Sequence, residues 1–168
     1  MEVVDNFLEP YYFDQLYTVL MEEEIPWYYN DCKVRGESTD GDGLYQFIHG
    51  FYHFKRGGVV SDGFDIFERI LYKLRIKELY RIKANLTPRT KSHDHSGWHV
   101  DFPSLPVGKT AIFYMNTNNG WTKFKKGGRV KSVANRMVIF DSNLKDQGVT
   151  CTDEKRRVVF NFNYVPAL

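Results

Sequence analysis

His99 and Asp101 stand two residues apart in the stretch HSGWHVDFP. On an extended chain, residues at i and i+2 point to the same side, so an imidazole and a carboxylate at this spacing can converge on one point. A neutral imidazole and a carboxylate on one face are two of the three ligands of a mononuclear 2-His-1-carboxylate iron site. Taken alone, the pair is a weak signal that arises often by chance, and its plain reading is a turn with a solvated aspartate. All five histidines lie between positions 49 and 99, so nothing after His99 can add another imidazole. Other chemistries find little support. No Gly-x-Ser-x-Gly elbow exists for a nucleophilic serine, and GGRV has neither the length nor the lysine of a phosphate-binding loop. Lys123, Lys125, Lys126, Arg129 and Lys131 form a basic run of the kind that is usually a solvated hairpin face.

The elements that must hold such a pair change character along the chain. Pro10 sits where a first-turn proline belongs, and Tyr12, Phe13, Leu16, Tyr17 and Leu20 recur at helical spacing, so a helix is expected from about residue 10 to 23. Ser61 and Asp62 are expected to cap a second amphipathic helix with Phe64, Phe67, Ile70, Leu71 and Leu74 on its buried stripe. A short strand is expected at Val3 and Val4, and IPWYY and LYQFIHGFYHF read as strands. From residue 78 onward nearly everything reads as strand and turn: 79 to 86, 97 to 101, 109 to 116, 121 to 125, 129 to 133, 136 to 141 and 156 to 165. Short, closely spaced strands argue for a barrel or a double-sheet jelly roll.

Composition agrees with one soluble domain. The 168 residues are 42% hydrophobic and 26% charged, with 13 Phe and 11 Tyr, enough for one core, and no Pro/Gly/Ser-rich linker divides them. The expected organisation is a single domain, 1–168, with a supporting region at 1–77 and a β core at 78–168. A net charge of +2 points to neither nucleic acid nor an anionic membrane. No apolar run reaches a membrane span and the N-terminus is acidic, so a cytoplasmic protein is expected. Cys32 and Cys151 lie far apart with no Cys-x-x-Cys pairing and read as reduced thiols.

From Ile82 onward, the segments IKANLTPR, HSGWHVDFP, KTAIFYMNTNNGWTKF, ANRMVIFDS and GVTCTDEKRRVVFNFNY occur in the order seen in small 2-oxoglutarate- and Fe(II)-dependent oxygenases. The chain resembles the prolyl-hydroxylase-like group, above all stand-alone members carried by bacteriophages, which would place it in the cytoplasm of a bacterial host. The opening VVDNFLEPYYFDQL and IPWYYN fit that group too, so the resemblance spans the whole chain. It implies a mainly β fold: a double-stranded β-helix, the cupin-like jelly roll, with two supporting α-helices from the N-terminal half. It also implies Fe(II) as cofactor, with ascorbate as accessory reductant, and 2-oxoglutarate and dioxygen as cosubstrates.

Carried over residue by residue, the resemblance makes His99 and Asp101 the metal ligands. It puts an arginine at the start of the last core strand against the far carboxylate of 2-oxoglutarate. Arg157 fits that place, with Arg156 as the competing neighbour, because successive strand residues face opposite ways. Asn161 then shares the face of Arg157 and would lie against the cosubstrate, and Tyr114 stands where relatives place a hydroxyl on the same carboxylate. Gly120, Thr122 and Phe124 match a turn and strand taken as structural. Trp98 and Phe102 would wall the site, and His93 and His95 are expected as exposed residues of a lid-like loop.

The chain departs from the family at Asp146, which stands where the distal histidine ligand belongs. Aspartate is shorter than histidine and adds a negative charge to the metal shell, which disfavours dianionic 2-oxoglutarate and suits harder divalent ions. The resemblance therefore implies an oxygenase that hydroxylates a peptidyl proline, another protein side chain or a smaller substrate. The alternatives are a catalytically reduced module that binds 2-oxoglutarate or a peptide, and nucleic-acid binding through the basic run.

Overall fold

The computed structural model describes residues 1–22, 25–33, 44–101 and 108–167. In chain order the elements are β1 (Glu2–Val4), α1 (Pro10–Tyr17), β2 (Tyr28–Asn30), β3 (Gln46–His53), β4 (Gly58–Val59), α2 (Glu68–Lys73), β5 (Ile76–Pro88), β6 (Lys109–Tyr114), β7 (Trp121–Phe124), β8 (Arg129–Lys131), β9 (Arg136–Asp141), β10 (Asp146–Val149) and β11 (Arg156–Pro166). The larger sheet runs β1-β9-β6-β11-β5-β3-β2 with β4 paired to β3, and the smaller runs β10-β7-β8. Every pairing is antiparallel.

The alternation of side chains on β5 and β11 explains the layering. Ile82 and Ala84 from β5, with Val158, Phe160 and Phe162 from β11, face the helices and join Leu16, Phe67 and Ile70 in one buried cluster. Phe67 packs edge-on against Phe160 and Phe162, with ring centroids 5.2 and 5.6 Å away. Truncating an aromatic side chain so enclosed costs about 3–5 kcal/mol. On the other face, Ile112, Tyr114, Val138, Phe140 and Val159 meet Phe124 and Val130 of the smaller sheet in a second cluster. Two antiparallel sheets packed face to face, with two helices on the outer face of the larger, make a mainly β jelly-roll architecture.

Several local expectations need correction. The first helical run is α-helical only to Tyr17 and continues as a π-helical turn over Thr18–Glu22. The second begins as a 3-10 turn over Asp62–Phe67 and becomes α-helical at Glu68. Ser61 occupies the N-cap position, yet its hydroxyl makes no capping bond and instead lies 2.8 Å from His49 Nε2. Residues 97–101 form no strand: their one ladder contact is the bridge between His99 and Asp146. β4 and β10 were not expected from the pattern. Cys32 and Cys151 are buried free thiols. No helix among the described residues is long and apolar enough to cross a membrane.

Candidate active site

The segment before His99 is irregular, but it is fixed to β10. The Ser96 amide donates to Gly148 O at 3.0 Å, and the Thr150 amide donates to Asp94 O at 3.0 Å. His99 and Asp146 then exchange both backbone hydrogen bonds, at 3.1 and 3.0 Å. Residues paired in this way across an antiparallel bridge project their side chains to the same side. The bridge therefore does for His99 and Asp146 what the two-residue spacing does for His99 and Asp101, and all three side chains line one cavity.

The cavity, about 260 Å³, lies between the sheets. Its floor is the polar face of β5 and β11. Arg157 pairs with Thr87, Val159 with Asn85, and Asn161 with Lys83, and all six line the space, as does Arg81. Arg156, next to Arg157, lies on the opposite face and donates to Met21 O at 2.5 Å. The alternation expected of the Arg pair thus puts Arg157 in the cavity wall.

Arg157 is buried, 5% exposed. Its Nε donates to Ser132 Oγ at 2.8 Å and its Nη2 to Thr122 Oγ1 at 3.0 Å, while its Cζ lies 5.5 Å from the centre of the Tyr114 ring. Among the described residues it forms no salt bridge: its hydrogen-bond partners are neutral, and the charge of Asp146 reaches it without a direct contact. Burial accordingly pushes its pKa down. Tyr114 is fully buried, and its hydroxyl donates to Thr122 Oγ1 at 2.8 Å. It supports the wall from behind and is not among the cavity-lining residues. Thr122, taken from sequence as structural, is the residue that reaches the cavity. Its oxygen accepts from both Tyr114 and Arg157, which leaves its own proton to donate.

Two glycines make room for Arg157. A Cβ on Gly120 would come within 2.8 Å of Val149 O, 2.9 Å of Asn118 Oδ1 and 3.0 Å of Arg157 Cδ. Gly120→Ala is therefore expected to destabilise the protein by about 1–3 kcal/mol, measured as a fall in the urea midpoint. A Cβ on Gly148 would instead sit at ordinary contact distance, 3.9 Å, from Arg157 Nη1 and Ser96 Oγ. Gly148→Val is expected to keep the fold while blocking anions at Arg157, read as a roughly tenfold or greater loss of 2-oxoglutarate affinity in calorimetry.

Around the metal-ligand candidates the charges are dense. His99 Nε2 lies 3.3 Å from Asp101 Oδ1, and Arg81 Nη2 lies 3.3 Å from the same oxygen. Asn161 Nδ2 donates to Asp101 Oδ2, and Asn161 Oδ1 accepts from Asn85 Nδ2 at 3.2 Å. The amide expected against the cosubstrate is thus placed on the Asp101 carboxylate. Burial opposes ionisation of Asp101, but the charges of Arg81 and His99 and the His99 hydrogen bond override it and hold its pKa far below the usual range. Asp146 is 3% exposed and its Oδ1 has no hydrogen-bond partner. Burial first, and then the charge of Asp101, raises its carboxyl to about 7. Burial also works against the charged form of His99, yet the Asp101 hydrogen bond and the charge of Asp146 outweigh it and hold the imidazole at about 9. Lys83 is pushed down to about 8, by burial first and then by the charge of Arg81.

These residues pass a simple test for a divalent ion. A buried carboxylate oxygen with no donor needs a proton or a cation, and Asp146 Oδ1 is such an atom beside an imidazole and a second carboxylate. Among the described residues no group of three His, Cys, Asp or Glu side chains is arranged as it stands to hold a metal ion. His99 and Asp101 instead touch one another, and Arg81 and Asn161 hold Asp101.

The remaining expectations fall around the rim. His93 is half-buried, with Nδ1 2.7 Å from Thr150 O and its ring 4.7 Å from that of Trp121. His95 is exposed, with Nδ1 3.1 Å from Gln147 Oε1. Both are docked on β10 and β7, which a freely moving lid would not be. Trp98 is 37% exposed, with Lys123 Nζ 5.9 Å from its ring centre. Phe102 lies outside the described residues. The basic run is a solvated hairpin face, with all five side chains exposed. Arg81 and Lys83 were missed from sequence. The signal was available: in LYRIKANLT the apolar Ile82, Ala84 and Leu86 alternate with Arg81, Lys83, Asn85 and Thr87, and a polar row on a strand inside two packed layers marks a cavity.

No protein-family model and no curated protein matches the sequence. Solved structures do match the fold. An oxidoreductase of the 2OG-Fe(II) oxygenase family from Burkholderia pseudomallei superimposes with a TM-score of 0.67 at 8% identity, covering 96% of this chain and 82% of that one. A Trichoplax adhaerens prolyl hydroxylase, in complex with an oxygen-degradation-domain peptide of hypoxia-inducible factor, gives 0.61 at 11%, covering 97% and 82%. The epimerase SnoN, in complex with Fe3+, alpha-ketoglutarate and nogalamycin RO, gives 0.59 at 13%, covering 98% and 78%. With its paired antiparallel sheets, its two outer helices and its cavity between the layers, the chain has the jelly-roll fold of the 2-oxoglutarate/Fe(II) oxygenases, prolyl hydroxylases among them.

Proposed function

We propose that the protein is a 2-oxoglutarate- and Fe(II)-dependent oxygenase of a single domain, with His99, Asp101 and Asp146 holding the metal and Arg157 the far carboxylate of 2-oxoglutarate. The observation that carries this reading is Arg157: a buried guanidinium with no carboxylate partner, facing the cavity that His99, Asp101 and Asp146 also line. A buried cation whose hydrogen-bond partners are all neutral is only weakly compensated until an anion arrives beside it, and arginine matches a carboxylate with two parallel donors. Thr122 and Tyr114 fix the guanidinium, and Gly148 leaves space beside it. Iron, once bound, supplies the oxidising chemistry, in which 2-oxoglutarate and dioxygen yield succinate and carbon dioxide while one oxygen atom enters a substrate C–H bond. The chain's own contribution is to orient the cosubstrate and to keep the cavity enclosed between two sheets. A peptidyl proline or another protein side chain is the substrate class that the prolyl hydroxylase likeness favours, with ascorbate serving as accessory reductant.

The test is calorimetric titration of 2-oxoglutarate with and without Mn(II), a redox-inert stand-in for Fe(II). The expected result is binding that tightens when the metal is present. Failure of 2-oxoglutarate to bind in either form would overturn the proposal.

A second reading is favoured by the engagement of Asp101 with Arg81 and Asn161. A metal must displace or share these partners, and the protein would act as a 2-oxoglutarate-binding module if it does not. In that case 2-oxoglutarate binds equally well with and without Mn(II).

A further inference from the structure

Among the described residues, the cavity lining carries more positive charge than one cosubstrate can neutralise. Arg81, Lys83 and Arg157 all line it, against two carboxylates, Asp101 and Asp146. A divalent ion offsets both carboxylates, 2-oxoglutarate supplies two further negative charges, and one positive charge is left over. Arg157 is buried and Arg81 and Lys83 are half-buried, and charge of one sign drawn partly out of water is costly unless an ion of the other sign pairs with it.

The surplus is localised. Arg157 lies at one end of the β5/β11 ladder, paired with Thr87, and its guanidinium is tied to Thr122 and Ser132. Lys83 is four rungs away, opposite Asn161, and Arg81 is two rungs further on. Four rungs at ~3.4 Å each separate the backbones at Arg157 and Lys83 by roughly 13 Å. The two ends also address different carboxylates: Arg81 and Lys83 act on Asp101, and Arg157 acts on Asp146. Arg81 reaches Asp101 directly, whereas among the described residues the Lys83 ammonium forms no salt bridge.

We propose that Lys83, backed by Arg81, is a second anion seat on the Asp101 side of the cavity, which binds a carboxylate of the substrate. This inference rests on the oxygenase reading for the identity of the first anion and deepens it by naming the substrate's charge. The acid is either a small free carboxylate or the acidic side chain of a peptide, and the two share the same recognition by an ammonium group.

The test titrates the full chain, saturated with Mn(II) and 2-oxoglutarate, with sodium acetate and with a blocked peptide carrying one Asp, using the Asn version of that peptide as control. Wild type is expected to bind acetate, the Asp peptide or both, and not the Asn peptide; which probe binds more tightly identifies the source. Lys83→Met is expected to lose that binding by roughly tenfold or more, Lys83→Arg to retain it, and 2-oxoglutarate affinity to change less than about threefold. A thermal melt of Lys83→Met checks folding: a cooperative transition with a midpoint close to that of wild type shows that lost probe binding is not loss of the fold. If neither probe binds the saturated wild type, or if Lys83→Met leaves probe binding unchanged, the second seat does not exist. If Lys83→Met weakens 2-oxoglutarate as severely as Arg157→Met does, Lys83 belongs to the cosubstrate seat and the inference is wrong while the oxygenase reading stands. If 2-oxoglutarate itself fails to bind wild type, the oxygenase reading falls. The probe titrations are then read without it, and loss in Lys83→Met but not in Arg157→Met still supports the seat.

Discussion

Arg157→Met is expected to cost about 2–5 kcal/mol of 2-oxoglutarate binding, roughly 30- to 4,000-fold in Kd, because it removes one partner of a buried charge pair. Methionine keeps much of the aliphatic volume that packs near Gly120 and Tyr114, so the loss reports charge more than packing. The variant is also expected to melt no lower than wild type when 2-oxoglutarate is absent. In the wild type Arg157 is buried with neutral hydrogen-bond partners, and an apolar replacement removes that desolvation cost. A variant that binds 2-oxoglutarate like wild type would place the cosubstrate elsewhere.

The second large effect lies at Asp146. Asp146→Ala removes a proposed metal ligand, and since loss of a supporting group around a ligand already costs ten- to a hundredfold, metal affinity is expected to fall by about a hundredfold or more. Asp146→His is expected to tighten Fe(II) relative to Mg(II), because imidazole replaces a hard oxygen donor. Mn(II) titration followed by equilibrium dialysis separates the variants. The same binding is expected to depend on pH. The pKa values of Asp146, about 7, and His99, about 9, both lie above their ordinary values. Each group therefore contributes stability in its protonated form that is present at low pH and is lost as pH rises through its own folded value. A divalent ion takes the place of those protons, so metal affinity should climb as pH is raised through about 7 and toward about 9, by about tenfold per unit for each proton displaced. Affinity independent of pH across this range would exclude these two side chains as ligands.

How far the sequence foretold the site differs from residue to residue. Strand alternation implied that only one of Arg156 and Arg157 could face the cavity, and the family resemblance, with Asn161 on the same face, favoured Arg157; a strand buried on both faces carries no hydrophobic period that would have made the choice. The two-residue spacing of His99 and Asp101 marked a shared direction. It did not show that the segment holding them is irregular, since one backbone bridge to Asp146 supplies the register that a full strand would have supplied. β10 itself, DQGV, has no hydrophobic period to announce a strand; its pairing with β7 and its hydrogen bonds to Ser96 and His99 create it. Tyr114 lies behind Thr122, which lines the cavity in front of it, because the depth of a side chain in a double layer is set by the partner sheet and leaves no trace in local pattern. Arg81 and Lys83 were legible in principle as the polar row of β5, but the meaning of that row depends on the second sheet closing over it.

The most direct test of the oxygenase reading is succinate formation. Wild-type protein with Fe(II), ascorbate, dioxygen and 2-oxoglutarate, supplied with a panel of proline-containing peptides and small carboxylic acids, is expected to convert 2-oxoglutarate to succinate, and Asp146→Ala and Arg157→Met are expected not to. No succinate from wild type across the panel, together with no measurable metal binding, would contradict the account.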